Sequence, residues 1–445
     1  MSYSELLGLI MLVCMVAVIF IGFPISFTLL FLAIIFGGLG LGWEQTFNLS
    51  YLQIWGTMKD EIFPAVPLFI FMGYMTEQAG LMERLFGAMR SLLAPVRGSL
   101  YLAVILTATI FAMATGIVGA AVTVLGIMAA PMMIKAGYDA RLSAGAIAAG
   151  GTLGILIPPS VMLVVMGPTM GVPVNLLYSA AFGPGFLLAV MYIVYTLGRS
   201  FINPKLGPPV PKEDRITDPV VLIREFIVGV LPLALLIGFT LGTILAGMAT
   251  PTEAAACGAS GATLLALLYG KLSLKVLKNA AVMTMMTAGV VIFLAVASNV
   301  FGAVFTKLGT AQVITQALAA IPVPDMGKLI IIMVAVFLLG WPFEWPAIVL
   351  VFLPIVLPVV ETLQLGMNKL DLLIWFGALI AVNLQTAFLS PPVAMSAYYL
   401  RNVVPQWSLG LIYRGMGDFM IIQLICLAIV IFFPDIVLWL PRSLK

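Results

Sequence analysis

The stretch Gly150-Gly-Thr-Leu-Gly-Ile-Leu-Ile-Pro-Pro-Ser160 decides the fold of this 445-residue chain. It is apolar on both sides and is interrupted by a proline pair, so a helix that enters it must break and begin again. A second stretch, Asn383-Leu-Gln-Thr-Ala-Phe-Leu-Ser-Pro-Pro-Val393, repeats the pattern in the other half of the chain. Two interrupted apolar segments at corresponding positions predict a binding site of the kind found in membrane transporters.

Composition indicates a membrane protein. Hydrophobic residues make up 62% of the chain and charged residues 9%, against about 25% charged in soluble proteins. Apolar runs of about 20 residues recur along the whole length, as in polytopic helical membrane proteins. Histidine is absent and no G-x-x-x-x-G-K-[ST] loop is present, which argues against histidine-based catalysis and ATP-driven pumping. We therefore predict an all-α polytopic membrane protein in the lipid bilayer that is not an enzyme and binds no nucleic acid.

The apolar runs fall into two halves that are joined by the polar, proline-rich linker 199–225. Each half contains five predicted spans, one of which is the broken helix, together with one amphipathic arm that suits the membrane interface and one long apolar segment. An odd number of crossings per half inverts the second copy, so we predict inverted structural repeats. The first repeat is 1–198, with its arm at 81–95, its long segment at 98–134 and its broken helix at 140–171. The second is 226–445, with the corresponding parts at 307–322, 327–360 and 369–400.

Each long segment exceeds a single crossing and has a turn-prone centre. The centres are Ala114-Thr-Gly116 in the first segment and Gly340-Trp-Pro342 in the second. Either segment could form two full crossings or a re-entrant hairpin, and the small and helix-breaking centres favour two re-entrant helical hairpins. Gly116 and Phe343, at the two centres, lie 227 positions apart, and other landmarks of the halves have similar offsets.

The distribution of cations predicts the orientation in the membrane. With the linker in the cytoplasm, fifteen of the 21 Lys and Arg residues fall on the cytoplasmic side and the remaining six on the other. This bias follows the positive-inside rule. It requires each long segment to begin and end on one side of the membrane, and it places both termini in the periplasm.

Each break is predicted to expose groups that bind ions. The half-helices that begin after the prolines present free amides near Ser160 and Val393, which suit an anionic substrate. Thr115 and Glu344, at the hairpin centres, are further candidate substrate contacts. The unwound carbonyls before the prolines suit a small cation, and sodium is a reasonable coupling ion. The candidate cation ligands are Ala114, Thr115, Gly116, Gly151, Thr152, Gly154, Gly340, Pro342, Asn383, Gln385 and Ala387.

Two acidic residues of the apolar zone have alternative interpretations. Glu253, in Thr250-Pro-Thr-Glu253, could take part in transport or could cap a helix N-terminus. Glu344 lies beside the predicted cavity, which favours a functional role. No Lys or Arg falls in the middle of a span, so an anionic substrate would meet helix ends, hydroxyls and co-bound cations. Coupling to protons through either glutamate stays open at this point.

Three motifs identify a family. They are Lys135-Ala-Gly-Tyr-Asp-Ala140 with the Gly150–Ser160 stretch, Ala249-Thr-Pro-Thr-Glu-Ala-Ala-Ala256, and Asn383-Leu-Gln with the prolines that follow it. With these motifs the whole chain resembles the large membrane subunit of tripartite ATP-independent periplasmic (TRAP) transporters. In the first hairpin tip, Thr115-Gly116-Ile117 departs from the Ser-Gly-Ser that is usual in that family, so one candidate hydroxyl ligand is missing.

The resemblance implies an elevator-type secondary transporter in the bacterial inner membrane. Such subunits import a small organic acid with Na+ as the coupling ion and without a cofactor. They work with two partners, a small four-helix membrane subunit and a periplasmic substrate-binding protein. One alternative is a self-sufficient sodium–dicarboxylate symporter of similar inverted-repeat build. An intramembrane enzyme is disfavoured, because histidine and any paired catalytic group are missing.

Overall fold

A computed structural model describes residues 2–209, 215, 218–391 and 394–444, with the side chains of Thr115 and Ala319 excepted. Across these ranges the secondary structure is helical and contains no strand. In the described part of the chain, seven helices are long and apolar enough to cross a membrane, and four shorter apolar helices accompany them. The predicted all-α polytopic class is therefore confirmed.

In the first half, local signals define the helix ends. Ser2 and Glu5 form a capping box at the start of α1, and Gly22 ends this helix with a left-handed φ of 101°. Asp139 caps α8 by accepting a hydrogen bond from the Leu142 N–H. The helices are α1 (Tyr3–Ile21), α2 (Ile25–Gly40), α3 (Trp43–Lys59), α4 (Ala65–Gln78), α5 (Leu81–Leu93), α6 (Ser99–Thr115), α7 (Val118–Lys135), α8 (Ala140–Thr152), α9 (Val161–Met170) and α10 (Val174–Ile202).

The second half has a similar order of elements, but α3 has no counterpart there and its last helix, Asp435–Ser443, has none in the first half. Short π-helical segments follow α11 and α17 and continue into α12 and α18. The helices are α11 (Pro219–Ile237), α12 (Thr243–Leu245), α13 (Pro251–Leu268), α14 (Leu274–Lys307), α15 (Thr310–Ala319), α16 (Asp325–Leu339), α17 (Trp345–Ala347), α18 (Leu353–Val360), α19 (Lys369–Leu389), α20 (Met395–Val403), α21 (Leu409–Phe432) and α22 (Asp435–Ser443).

Outer helices of each half pack against helices of the other half. Helix α2 of the first half packs on α14 of the second, and α13 of the second half packs on α4 of the first. The arms follow the same rule, since α5 contacts α11 and α15 contacts α1. Each half therefore completes its packing on the other. We call α1–α5 and α11–α15 the outer helices.

The long segments pack on the broken helices. Each long segment is two helical stretches joined by a turn, at Gly116-Ile117 in the first and at Gly340–Glu344 in the second. Helix α7 packs on α8, and α16 packs on α19. Helix α19 lies at the centre, with 94% of its apolar window buried. We call α6–α9 and α16–α20 the inner helices.

Two features differ from the sequence prediction. Helix α3, over Trp43–Lys59, has no predicted counterpart, because its modest hydropathy does not mark it as a span. The last predicted span, 416–440, contains an interruption. Helix α21 ends at Phe432, and Pro434 precedes the separate, amphipathic α22.

Candidate functional site

The first break is a buried interruption between α8 and α9. A short 3₁₀ turn, Leu153–Ile155, ends α8, and α9 begins at Val161 after the proline pair. The Ser160 hydroxyl donates to the Ile155 carbonyl oxygen at 2.5 Å and accepts from the Leu163 N–H at 3.5 Å. Ser160 thus closes the turn and caps α9. The surrounding segment is buried, so protein and not lipid surrounds the broken backbone.

The first hairpin tip lies directly on this break. Gly116 has a φ of +60°, and a Cβ atom placed on it would lie 3.3 Å from the Pro159 carbonyl oxygen and 3.7 Å from that of Gly154. Within the described residues, no main-chain N–H group donates to either carbonyl. Two carbonyl oxygens therefore face the tip with free lone pairs. Such oxygens are suitable ligands for a small cation.

The second hairpin tip also packs against the second break. A Cβ atom placed on Gly340 would lie 3.1 Å from the Ala387 Cβ atom. The Asn383 Nδ2 atom donates to the Met333 carbonyl oxygen of α16 at 2.7 Å. The buried Asn383 Oδ1 atom has no partner in the described part of the chain. A buried amide oxygen without a donor is available to a cation.

A buried polar cluster connects the two breaks. The Thr152 hydroxyl lies 3.2 Å from the Gln385 Oε1 atom, so the broken helices α8 and α19 touch through polar groups. The Gln423 Nε2 atom of α21 reaches the same Oε1 atom at 3.4 Å and the Thr152 hydroxyl at 3.5 Å. All three side chains are fully buried. Gln423 was not among the residues predicted from the sequence, although an amide inside an apolar helix is a signal for such a contact.

A cavity of about 150 Å³ lies where both tips and both broken helices meet two outer helices. Its polar groups include the Glu344 carboxylate, the Tyr399 hydroxyl and the Thr287 hydroxyl, and the last of these lies 3.0 Å from the Tyr74 hydroxyl. Among the described residues that line it there is no Lys or Arg. The lining residues are Ile70, Gly116, Ile117, Val118, Gly119, Ile155, Val161, Thr287, Val291, Glu344, Trp345, Phe388, Met395 and Tyr399.

The candidate substrate residues divide into two groups. Glu344 lines the cavity and is exposed, at the N-cap of α17. Ser160 is fully buried and does not line the cavity, where its neighbour Val161 takes that position. The Thr115 side chain and Val393 lie outside the described part of the chain.

The candidate cation ligands also differ in their surroundings. Gly154 packs against Gly116, whereas Gly151 faces Val122 of α7 at close range. Ala114 is buried beside the first tip and Pro342 is partly buried in the second.

Glu253 has a structural role. Its carboxylate accepts from the Thr250 N–H at 2.8 Å, and the Glu253 N–H donates to the Thr250 hydroxyl at 3.2 Å. The two residues form a capping box at the N-terminus of α13. Of the two interpretations that the sequence left open, the geometry favours the helix cap.

Comparison with known proteins identifies the family. The model of the DctM component of tripartite ATP-independent periplasmic transporters matches residues 12–436. The chain belongs to the DctM family. The predicted resemblance to the TRAP large membrane subunit is therefore confirmed. DctM proteins are permease subunits of transporters and not enzymes, so the chain is a multi-pass membrane permease.

Relatives of this DctM chain are named for different substrates. The chain is 29% identical to the sialic acid TRAP transporter large permease protein SiaM of Vibrio cholerae, over 95% of the chain and 96% of that protein. It is 28% identical to the C4-dicarboxylate large permease protein DctM of Pseudomonas aeruginosa, over 88% of the chain and 89% of the relative.

A solved structure shares the fold. The YdaH transporter of Alcanivorax borkumensis matches with a TM-score of 0.61 and 14% identity, over 98% of each chain. At this level of identity the match shows the fold alone.

Proposed function

We propose that this DctM chain imports a small organic acid across the bacterial inner membrane, driven by a sodium gradient. The observation that carries the proposal is the position of the 150 Å³ cavity, which touches both hairpin tips and both broken helices. A transport site should lie where discontinuous helices meet, because their free backbone groups can hold both substrate and ions.

Sodium is supported by the donor set. The first tip faces the carbonyl oxygens of Gly154 and Pro159, and the second break carries the unpartnered Asn383 Oδ1 atom. These are neutral, hard oxygen donors, the kind that alkali cations prefer. Two such places, one at each break, would bind cations on either side of a single substrate.

An organic acid is supported by the half-helix that begins at Val161. Its first two amides, at Val161 and Met162, precede the first intrahelical hydrogen bond and carry the positive end of the helix dipole. Val161 lines the cavity, and no described residue of the lining carries a cationic side chain. An anion there would be held by backbone amides, hydroxyls and bound sodium. The small volume, below the roughly 300–1,000 Å³ of drug-sized sites, favours a small solute.

The architecture supports inverted repeats with re-entrant hairpins. Apart from α3 and α22, the elements of the two halves follow a similar order, and the halves pack on each other through α2 with α14 and α13 with α4. We propose that the outer helices form a scaffold and that the inner helices move as an elevator. The small four-helix subunit and the periplasmic binding protein, which membership in a tripartite family implies, would complete the transporter. The proposed orientation places both termini in the periplasm.

The test is uptake in proteoliposomes. The chain would be reconstituted with its small membrane subunit, and accumulation of radiolabelled acids would be measured with and without a sodium gradient and the binding protein. We expect uptake only when both are present. Uptake that persists without the binding protein would favour the self-sufficient symporter, and uptake driven by a proton gradient alone would refute sodium coupling.

The substitution Asn383→Leu tests the second proposed cation site. Loss of the Oδ1 atom as a sodium ligand should raise the sodium concentration for half-maximal uptake by roughly tenfold or more, since a polar contact to a charge is worth about 1.5–3 kcal/mol. Expression should persist, as leucine fits an apolar interior. Asn299→Leu is the control, because that amide also bonds a neighbour, the Thr57 hydroxyl at 2.8 Å, but lies in an outer helix. An unchanged sodium dependence in Asn383→Leu would remove this residue from the site.

A further inference from the structure

A second cavity lies away from the proposed transport site, between the arm α5 and the outer helix α11. Its volume is about 430 Å³. Three arginines line it, Arg84 and Arg90 from α5 and Arg224 from α11, together with the Ser91 hydroxyl and the single carboxylate of Glu225. The cavity therefore has a formal excess of two positive charges. We propose that it binds the phosphate headgroup of an anionic phospholipid.

The three guanidinium groups are available to a ligand. Arg84 stacks over the Tyr269 ring at 4.3 Å, and the Arg90 Nη1 atom contacts the Met132 sulfur at 3.1 Å. Throughout the described ranges, none of Arg84, Arg90 and Arg224 forms an ion pair with a carboxylate. Glu225 lines the cavity but forms no ion pair with any of the three. Arginine presents several N–H donors in a planar fork, which matches phosphate oxygens.

The backbone positions these arginines around one space. Helices α5 and α11 cross closely at Gly229, where a Cβ atom would lie 2.7 Å from the Arg84 carbonyl oxygen and 2.9 Å from the Ala88 Cβ atom. This contact fixes α5 against α11 and brings Arg224, more than one turn before Gly229, towards the arginines of the arm. Gly87 faces open space, which leaves room for a headgroup.

The surroundings favour a lipid over a soluble anion. Helix α11 exposes a row of apolar side chains from its first turn, and such a surface suits acyl chains. The charge bias predicts that this end of the molecule faces the cytoplasmic leaflet. Basic pockets between membrane helices on that side bind anionic headgroups, and each cation near an anionic membrane contributes about 1 kcal/mol. A phosphodiester with acyl chains along α11 satisfies both the charge and the apolar surface.

Native mass spectrometry of the full-length chain tests the proposal. Phosphatidylglycerol and phosphatidylcholine with identical acyl chains would be titrated against the wild type and against the double variant Arg90→Gln/Arg224→Gln. We expect preferential binding of phosphatidylglycerol to the wild type, and a loss of affinity of roughly fivefold for each arginine removed. The variant Arg90→Lys/Arg224→Lys, which keeps the charge, should retain most of the preference and shows that the fold tolerates substitution.

The matched control is Arg97→Gln/Arg414→Gln, which removes two exposed arginines on the same predicted side but outside the cavity. Its preference for phosphatidylglycerol should equal that of the wild type. If both double variants lost the same affinity for phosphatidylglycerol, net charge alone would explain the effect and the proposal would be overturned. Full competition by inorganic phosphate would indicate a soluble-anion site instead. Exclusion of the lipid when the small membrane subunit is bound would show that the cavity is a subunit interface.

Discussion

Gly116 is the residue at which the first hairpin tip meets the first helix break. Its φ of +60° belongs to the left-handed region, which costs other residues about 1–2 kcal/mol. The absence of a side chain also keeps open the space beside the Gly154 and Pro159 carbonyl oxygens. Glycine is thus required at this position for two reasons, the conformation of the turn and access to the two carbonyl oxygens.

These two requirements can be separated by substitution. Gly116→Ala should reduce sodium-dependent uptake to below about a tenth of the wild-type rate, because the added methyl group strains the turn and occupies the space beside the carbonyls. Gly137→Ala is the control, since Gly137 has a similar φ of +71° but no neighbouring atom within 4 Å of its Cβ position. Surface expression and uptake would be measured for both. Equal uptake defects would mean that backbone strain alone explains the result.

The sequence predicted candidate site residues where backbone chemistry restricts the choice or where a polar side chain interrupts an apolar segment. Gly116 and Gly154 were predicted from a turn and an unwound segment, and the structure brings these two residues together. Gln423 was missed because one sequence does not say which helix an isolated amide will face. The role of Ser160 was equally hidden, since only the folded turn shows its hydroxyl donating to the Ile155 carbonyl oxygen.

Among the elements, the broken helices were predictable because proline lacks an N–H group and ends a helix wherever a pair occurs. Helix α3 was not, because its hydropathy gives neither a span nor a clear polar face. The packing of the helices against one another could not be predicted from the sequence either. Helix α21 approaches α8 so closely that a Cβ atom on Gly145 would lie 2.5 Å from the Gly415 carbonyl oxygen. This approach brings Gln423 within reach of Thr152 and Gln385.

The α8–α21 contact predicts a difference between two neighbouring glycines. A Cβ atom on Gly415 would overlap the Arg141 carbonyl oxygen, whereas one on Gly417 has open space. Both alanine substitutions gain the same intrinsic helix propensity, about 1 kcal/mol. Gly415→Ala should nevertheless lower the apparent unfolding temperature in detergent, since overpacking costs about 1–3 kcal/mol. Gly417→Ala should leave it unchanged or raise it. An unchanged unfolding temperature of Gly415→Ala would show that α8 and α21 can move apart without a loss of stability.

At the scale of the whole molecule, the exchanged packing of the halves explains why the site is central. Outer helices from both halves pack on one another, and the cavity forms where they meet both hairpin tips. Ile70 and Thr287 line it from the outer helices, whereas Gly116 and Glu344 line it from the inner ones. A substrate in this cavity would therefore sit between the proposed scaffold and the proposed moving part. Sliding of one part against the other would carry it across.

Cross-linking can test this movement with two aromatic pairs of similar spacing. Phe20 of α1 and Phe343 of the second tip join an outer to an inner part, with ring centroids 6.2 Å apart. Phe27 and Phe293 join two outer helices, α2 and α14, at 5.3 Å.

Each pair would be replaced by cysteines in a protein without its three native cysteines and linked with a short bifunctional thiol reagent. The first link should abolish sodium-driven uptake, because the second tip could no longer move relative to α1. The second link should leave uptake close to that of the unlinked protein, because both helices belong to the scaffold. Full uptake by the protein linked between positions 20 and 343 would exclude an elevator movement along this boundary, and the substrate would then have to be released by local opening of the hairpin tips alone.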